Sequence, residues 1–220
     1  MRFAPEIAFA SREIARIRSD IVYADSTAIS PLSPIHERAA SMRAYAYVWL
    51  AAVLERIVRD AVQSTLREIS ALTPAHKDLR LSLFALICEG DFDSVSSRAR
   101  SNAWEVKINL LSRTADPNPA ALSEHILPLD GRTIRAEHFD IIWLVLGLPS
   151  PSTPTALHRV ALKDLADGRN EVAHGNTDPV AFGRKKATRD LLRLTSRVED
   201  LVAHLLAGLD DYIGRRLFAR

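Results

Sequence analysis

Apolar side chains recur at three-and-four spacing through most of this chain, the period of helices that turn one face inward. Near the start, Pro5 suits a first helical turn, and Ile7, Ala10, Ile14, Ile17 and Ile21 form one stripe. A polar connection around Ser30, Pro31, Ser33 and Pro34 follows. Leu50, Val53, Leu54, Ile57, Ala61, Thr65 and Ile69 then mark a long second helix, with Glu55, Arg59, Gln63 and Arg67 on its other face. Pro74 predicts the start of a shorter helix with Leu79, Leu83, Leu86 and Ile87 inward and Gly90 as its terminator. Trp104, Ile108 and Leu111 suggest another, ahead of turn-rich Asp116 to Pro119.

Asp130-Gly131 is a second turn signal, and Ile141 to Leu148 reads as a buried helix closed by Gly147 and Pro149. Thr153 and Pro154 provide a cap and first-turn pair, from which Leu157, Val160, Ala161 and Leu165 lead toward Gly168. Asp178 and Pro179 repeat that signal for the final helix. Its stripe of Leu191, Leu194, Val198, Leu201, Leu205, Leu209 and Ile213 is the most regular in the chain. No comparable strand alternation and no fixed-period repeat is present. The fold class is therefore all-α, a helical bundle with long second and last helices. We read residues 1–220 as one domain, with an N-terminal helix extension over 1–30 and a core over roughly 34–216.

Composition supports this picture without naming a function. Hydrophobic residues make up 47% and charged residues 25%, which places the chain among ordinary globular proteins. A formal net charge of +2 means that an anionic partner would have to be held by a local patch. Cys88 is the single cysteine, so neither an internal disulfide nor a multi-cysteine metal knuckle can form. The first twenty residues carry too many charges for a signal peptide, and no apolar run reaches the roughly 18–20 residues of a membrane span. A cytoplasmic protein with no membrane segment is the expectation.

One string interrupts the leucine-rich pattern: Asp167-Gly168-Arg169-Asn170-Glu171-Val172-Ala173-His174-Gly175. Arginine can bind phosphate, asparagine can orient a group, and histidine can move a proton. On a continuous helix Asn170 and His174 are neighbours, whereas Arg169 lies about 140° round from His174. The same residues also read as a plain helix end, with glycine in the left-handed position and histidine at the negative end of the dipole.

Arg-Asn followed by three residues and His-Gly resembles the Arg-x4-6-His signature of the HEPN superfamily, including the polar residue favoured directly after the arginine. Glu55 and Arg59 resemble the Glu-x3-Lys/Arg element of some members. The likeness extends from about Ser41 onward, through the Asp130 to Arg135 segment and Leu146 to Leu148, and is greatest to the larger prokaryotic HEPN-like nucleases, which include the RiboL-PSP type and its close relatives. The resemblance implies a HEPN-like helical bundle and a metal-independent endoribonuclease acting as a homodimer with a composite active site. In that scheme His174 assists proton transfer while the RNA 2′-hydroxyl attacks the neighbouring phosphate, Arg169 binds the phosphate, and Asn170 orients the histidine or the phosphate. Glu55 and Arg59 would support the cleft. A toxin or antiviral-defence setting, with an antitoxin or sensor as partner, is likewise what the family implies.

No cofactor or metal is expected. His36, His76, His125, His138, His158 and His204 form no His-x-x-x-His pair and no zinc-protease pattern. Phosphate-loop and nucleophile-elbow motifs are absent as well. Arg184, Lys185, Lys186 and Arg189, with Arg193 and Arg197 beyond them, are candidates for guiding an RNA backbone, or else a solvated helix face. Two other readings stay open: a HEPN-fold module that binds a nucleotide or protein without cleaving, and a purely structural scaffold.

Overall fold

A computed structural model of the chain describes residues 2–27, 34–97, 100–122 and 133–220. Of the features read from the sequence, the connection at Ser30 to Ser33, the Asp130-Gly131 turn and His125 lie outside the described residues. In order, the helices are α1 (Ala4–Thr27), α2 (Pro34–Ala71), α3 (Leu81–Ile87), α4 (Glu89–Ser97), α5 (Arg100–Arg113), α6 (Ala136–Leu146), α7 (Ala156–Ala173), α8 (Pro179–Arg184) and α9 (Thr188–Gly214). Among the described residues no strand forms, and the class is all-α. The chain divides into two compact units, Met1–Asp60 with Leu129–Phe139 and Thr153–Ala207, and Ala61–Pro128 with Asp140–Ser152 and Gly208–Arg220.

The first unit buries the stripes of α1, α2 and α9. Ile14, Ile17, Ile21, Leu50, Leu54, Ile57, Leu201 and Leu205 are all at most 1% exposed, and such side chains contribute about 1.5–3 kcal/mol each on leaving water. Polar side chains tie the helices together at the rim. Arg18 of α1 pairs with Glu199 of α9 at 2.6 Å. Asp25 accepts from Thr188 at 2.8 Å, and the buried Arg43 of α2 donates to the Gly183 carbonyl of α8 at 3.1 Å. α8 approaches α2 so closely that a Cβ on Gly183 would fall 1.8 Å from the Ala40 carbonyl oxygen. The Asp178-Pro179 signal does not open the final helix. Asp178 caps only α8, accepting from the Ala181 N–H at 2.9 Å, and α9 begins afresh at Thr188.

The second unit departs further from expectation. Pro74 does not start a helix, because the backbone donors that follow it go elsewhere: His76 N–H to the Asn118 carbonyl, Lys77 N–H to Asp116, and Arg80 N–H to Phe218. A single 3-10 turn, His76–Asp78, is all that forms before α3. Cys88 ends α3, and Gly90 lies inside α4 instead of terminating a helix. The stripe on α5 faces outward, with Trp104, Ile108 and Leu111 at 63%, 59% and 66% exposure. Periodicity says which residues share a face, whereas burial depends on what covers it. On α6, Gly147 closes the helix at φ +68° as expected, but Ile141 and Leu144 are exposed while Ile142, Trp143 and Leu146 are buried.

Candidate active site

α7 carries the polar string, and its position starts with glycine. A Cβ on Gly168 would lie 2.4 Å from the Tyr47 ring, so a larger residue would hold α7 away from α2. Beside that contact the Tyr47 hydroxyl donates to Asp164 at 3.0 Å. Burial, reinforced by the Asp164 carboxylate, raises the Tyr47 phenol far above its ordinary value and keeps it a neutral donor. Leu162, Leu165, Ala166 and Val172 turn inward on α7. The helix starts later than Thr153-Pro154 predicts, with Thr155 at the extended N-cap position, and it runs through Gly168 to Ala173. Leu157 and Val160, expected on the inner stripe, are 58% and 59% exposed.

The end of α7 follows a Schellman pattern. Gly175, at φ +68°, donates to the Val172 carbonyl at 3.2 Å, and Asn176 donates to Glu171 at 3.1 Å. His174 is the C-cap, its own N–H bound to the Asn170 carbonyl at 3.2 Å. The helix-end reading of His-Gly thus describes the local backbone. It leaves the imidazole exposed and, among the described residues, without a side-chain partner.

Lys163, Asp167, Asn170 and His174 fall within about 60° of each other on the outer side of α7, at 100° per residue. Arg169 departs from the helix well away from that ridge. Its long side chain bends back, however, and Nη1 donates to Asn170 Oδ1 at 3.1 Å. The guanidinium and the amide are therefore in contact, and the imidazole stands one turn further on.

A second segment, distant in sequence, lies along this ridge. Thr133 Oγ1 donates to the same Asn170 oxygen at 3.1 Å. Arg135 Nη2 reaches Asp167 at 2.8 Å, and Lys163 reaches it at 2.6 Å from one turn earlier on α7. These two donors hold the Asp167 carboxyl below its usual range, Lys163 contributing most. Ile134 between them is buried, and the Arg135 N–H donates to His138 Nδ1 at 3.0 Å as α6 begins. Beside this junction opens a groove of about 320 Å³ lined by Arg135, Glu137, Arg159, Val160 and Lys163. Sequence reading assigned no role to Thr133, Arg135 or Asp167. The signals that could have pointed to them were the Asp130 to Arg135 segment of the family likeness and the i,i+4 spacing of Lys163 and Asp167.

The remaining candidates are placed elsewhere. Glu55 and Arg59 pair with one another on α2 at 3.0 Å, and among the described residues neither bonds to Arg169, Asn170 or His174. Arg184 is held by Glu37 at 3.1 Å. Lys186 pairs with Asp164 at 3.2 Å and stands over the rings of Tyr47 and Phe182 at 4.9 and 5.0 Å. Lys185 is exposed without a partner among the described residues, and Arg189 makes only a 3.8 Å contact to Asp190. Among the described residues no cluster of three His, Cys, Asp or Glu is placed to hold a metal, and no helix is long and apolar enough to cross a membrane.

The family model described as HEPN_MAE_28990-like HEPN matches residues 6–218. No curated protein and no solved structure matches the chain.

Proposed function

Since the chain belongs to the HEPN family over nearly its whole length, we propose that it is a metal-independent endoribonuclease whose chemistry rests on Arg169, Asn170 and His174. The observation that carries this reading is the exposed His174 imidazole, without a side-chain partner among the described residues, one turn from an Arg169-Asn170 pair on the same helix. An arginine fork binds a phosphodiester through charge-assisted hydrogen bonds, and an exposed imidazole can pass a proton between the 2′-hydroxyl and the leaving 5′-oxygen. The bond formed joins the 2′-oxygen to phosphorus and the bond broken releases the 5′-oxygen. The products are a 2′,3′-cyclic phosphate and a 5′-hydroxyl end.

A second copy of the chain belongs to the same proposal. Leu157 and Val160 lie exposed toward the start of α7, where Val160 is one turn before Lys163, and Lys163, Asp167 and His174 continue the outer side toward its end, a face that a matching α7 would cover. A composite cleft would then hold two arginines and two imidazoles. Glu55 and Arg59 are proposed as outer support only. For the RNA path, Lys185 and Arg189 are the better candidates, because Arg184 and Lys186 are held by carboxylates at 3.1 and 3.2 Å, whereas Arg189 has only the 3.8 Å contact to Asp190 and Lys185 has no partner among the described residues. A cytoplasmic toxin or defence role under the restraint of an antitoxin or sensor completes the proposal.

The test is RNA cleavage by purified protein in excess chelator, with the new ends mapped. His174→Ala should lower the rate by about 10²- to 10⁴-fold while the helical signal and melting temperature stay close to wild type. Loss of activity on chelation alone would refute the metal-free mechanism. Binding of RNA by wild type with no cleavage under any condition would favour the non-catalytic HEPN module.

A further inference from the structure

We propose that Thr133 is a positioning residue for Asn170, an inference that rests on the nuclease reading above. Two donors converge on one atom, Thr133 Oγ1 and Arg169 Nη1, each 3.1 Å from Asn170 Oδ1. A guanidinium can only donate, so the amide atom facing it must be the carbonyl oxygen, and two donors occupy both of its lone pairs. The orientation of the amide is thereby set. Its nitrogen keeps two N–H groups, for which the described residues supply no acceptor. An amide turned this way presents donors to an anionic oxygen, the form of preorganisation that stabilises charge developing on a phosphate.

Thr133 can hold the amide because it is itself held. Ile134 is 3% exposed, Arg135 is tied to Asp167 at 2.8 Å, and the Arg135 N–H is bonded to His138. Asp167 and Asn170 are three residues apart on α7, so the segment is fastened at two successive points along one side of that helix. Removing the hydroxyl would leave Arg169 as the lone donor on Oδ1. The Asn170 amide and the Arg169 guanidinium would then turn together.

The experiment compares wild type with Thr133→Val, which keeps the shape and removes the hydroxyl, and with Thr133→Ser, which restores it. Steady-state RNA cleavage should show kcat lowered about tenfold in Thr133→Val with KM within about twofold, and recovery in Thr133→Ser. Melting temperatures of all three should agree closely. A Thr133→Val protein with wild-type kcat would overturn the proposal, as would a Thr133→Ser protein no faster than Thr133→Val. If wild type cleaves no RNA, the nuclease reading fails, and the side-chain amide resonances of Asn170 decide the positioning role separately. A shift in Thr133→Val that Thr133→Ser reverses supports it, and unchanged resonances refute it.

Discussion

At the scale of single residues, Asp167 joins two stretches of chain by accepting from Lys163 and Arg135. Its lowered pKa means that the folded state binds this proton less readily than the unfolded state does. The associated stability is fully present above the unfolded value of 3.8 and is lost as pH falls through the lower folded value. The side chain is 45% exposed, so screening limits the gain to a few tenths of a kcal/mol up to about 1 kcal/mol. Asp167→Asn should therefore melt slightly below wild type at neutral pH, with the gap closing below about pH 4. A gap that widens on acidification would contradict the assignment. The residue types of the proposed site, Arg169, Asn170 and His174, stand out in the sequence because each carries chemistry in its side chain. Thr133 stood inside the Asp130 to Arg135 segment of the family likeness, but its bond to Asn170, 37 positions away, was not legible until folding brings the two together.

At the scale of elements, glycines set how closely helices approach. Gly183→Ala should destabilise more than Gly168→Ala, because the added methyl meets the Ala40 backbone in the first case and the movable Tyr47 ring in the second. Overpacking of this kind costs about 1–3 kcal/mol, with Gly183→Ala at or beyond the upper end. Chemical denaturation of the two variants tests the ordering, and equal stabilities would show that the α8 contact gives way as easily as a side chain. The stripe of α9 was readable outright: all seven of its predicted apolar positions, from Leu191 to Ile213, are at most 5% exposed. The α5 stripe had the same period and the opposite outcome. Pro74 misled for a related reason, since a start signal is weak against backbone donors claimed by neighbouring segments, and Gly90 sits inside α4 instead of ending a helix.

For the whole molecule, the proposed composite cleft makes a prediction that no single chain can satisfy. Arg169→Ala and His174→Ala proteins, each inactive alone, should regain part of the wild-type rate when mixed and allowed to exchange subunits. The mixed dimer would hold one arginine and one imidazole in a shared cleft. Mixtures that stay as inactive as their components, despite proven exchange, would argue for a site complete within one chain. The sequence by itself determined the helical class, the strongest core stripe and the polar string on α7, because each is written in local spacing that a helix reads every 3.6 residues. Only the tertiary structure decided which apolar faces were covered, where α8 and α9 separate, and that Thr133 and Arg135 lie along α7. Those outcomes depend on contacts between positions far apart in the chain, and local periodicity carries no record of them.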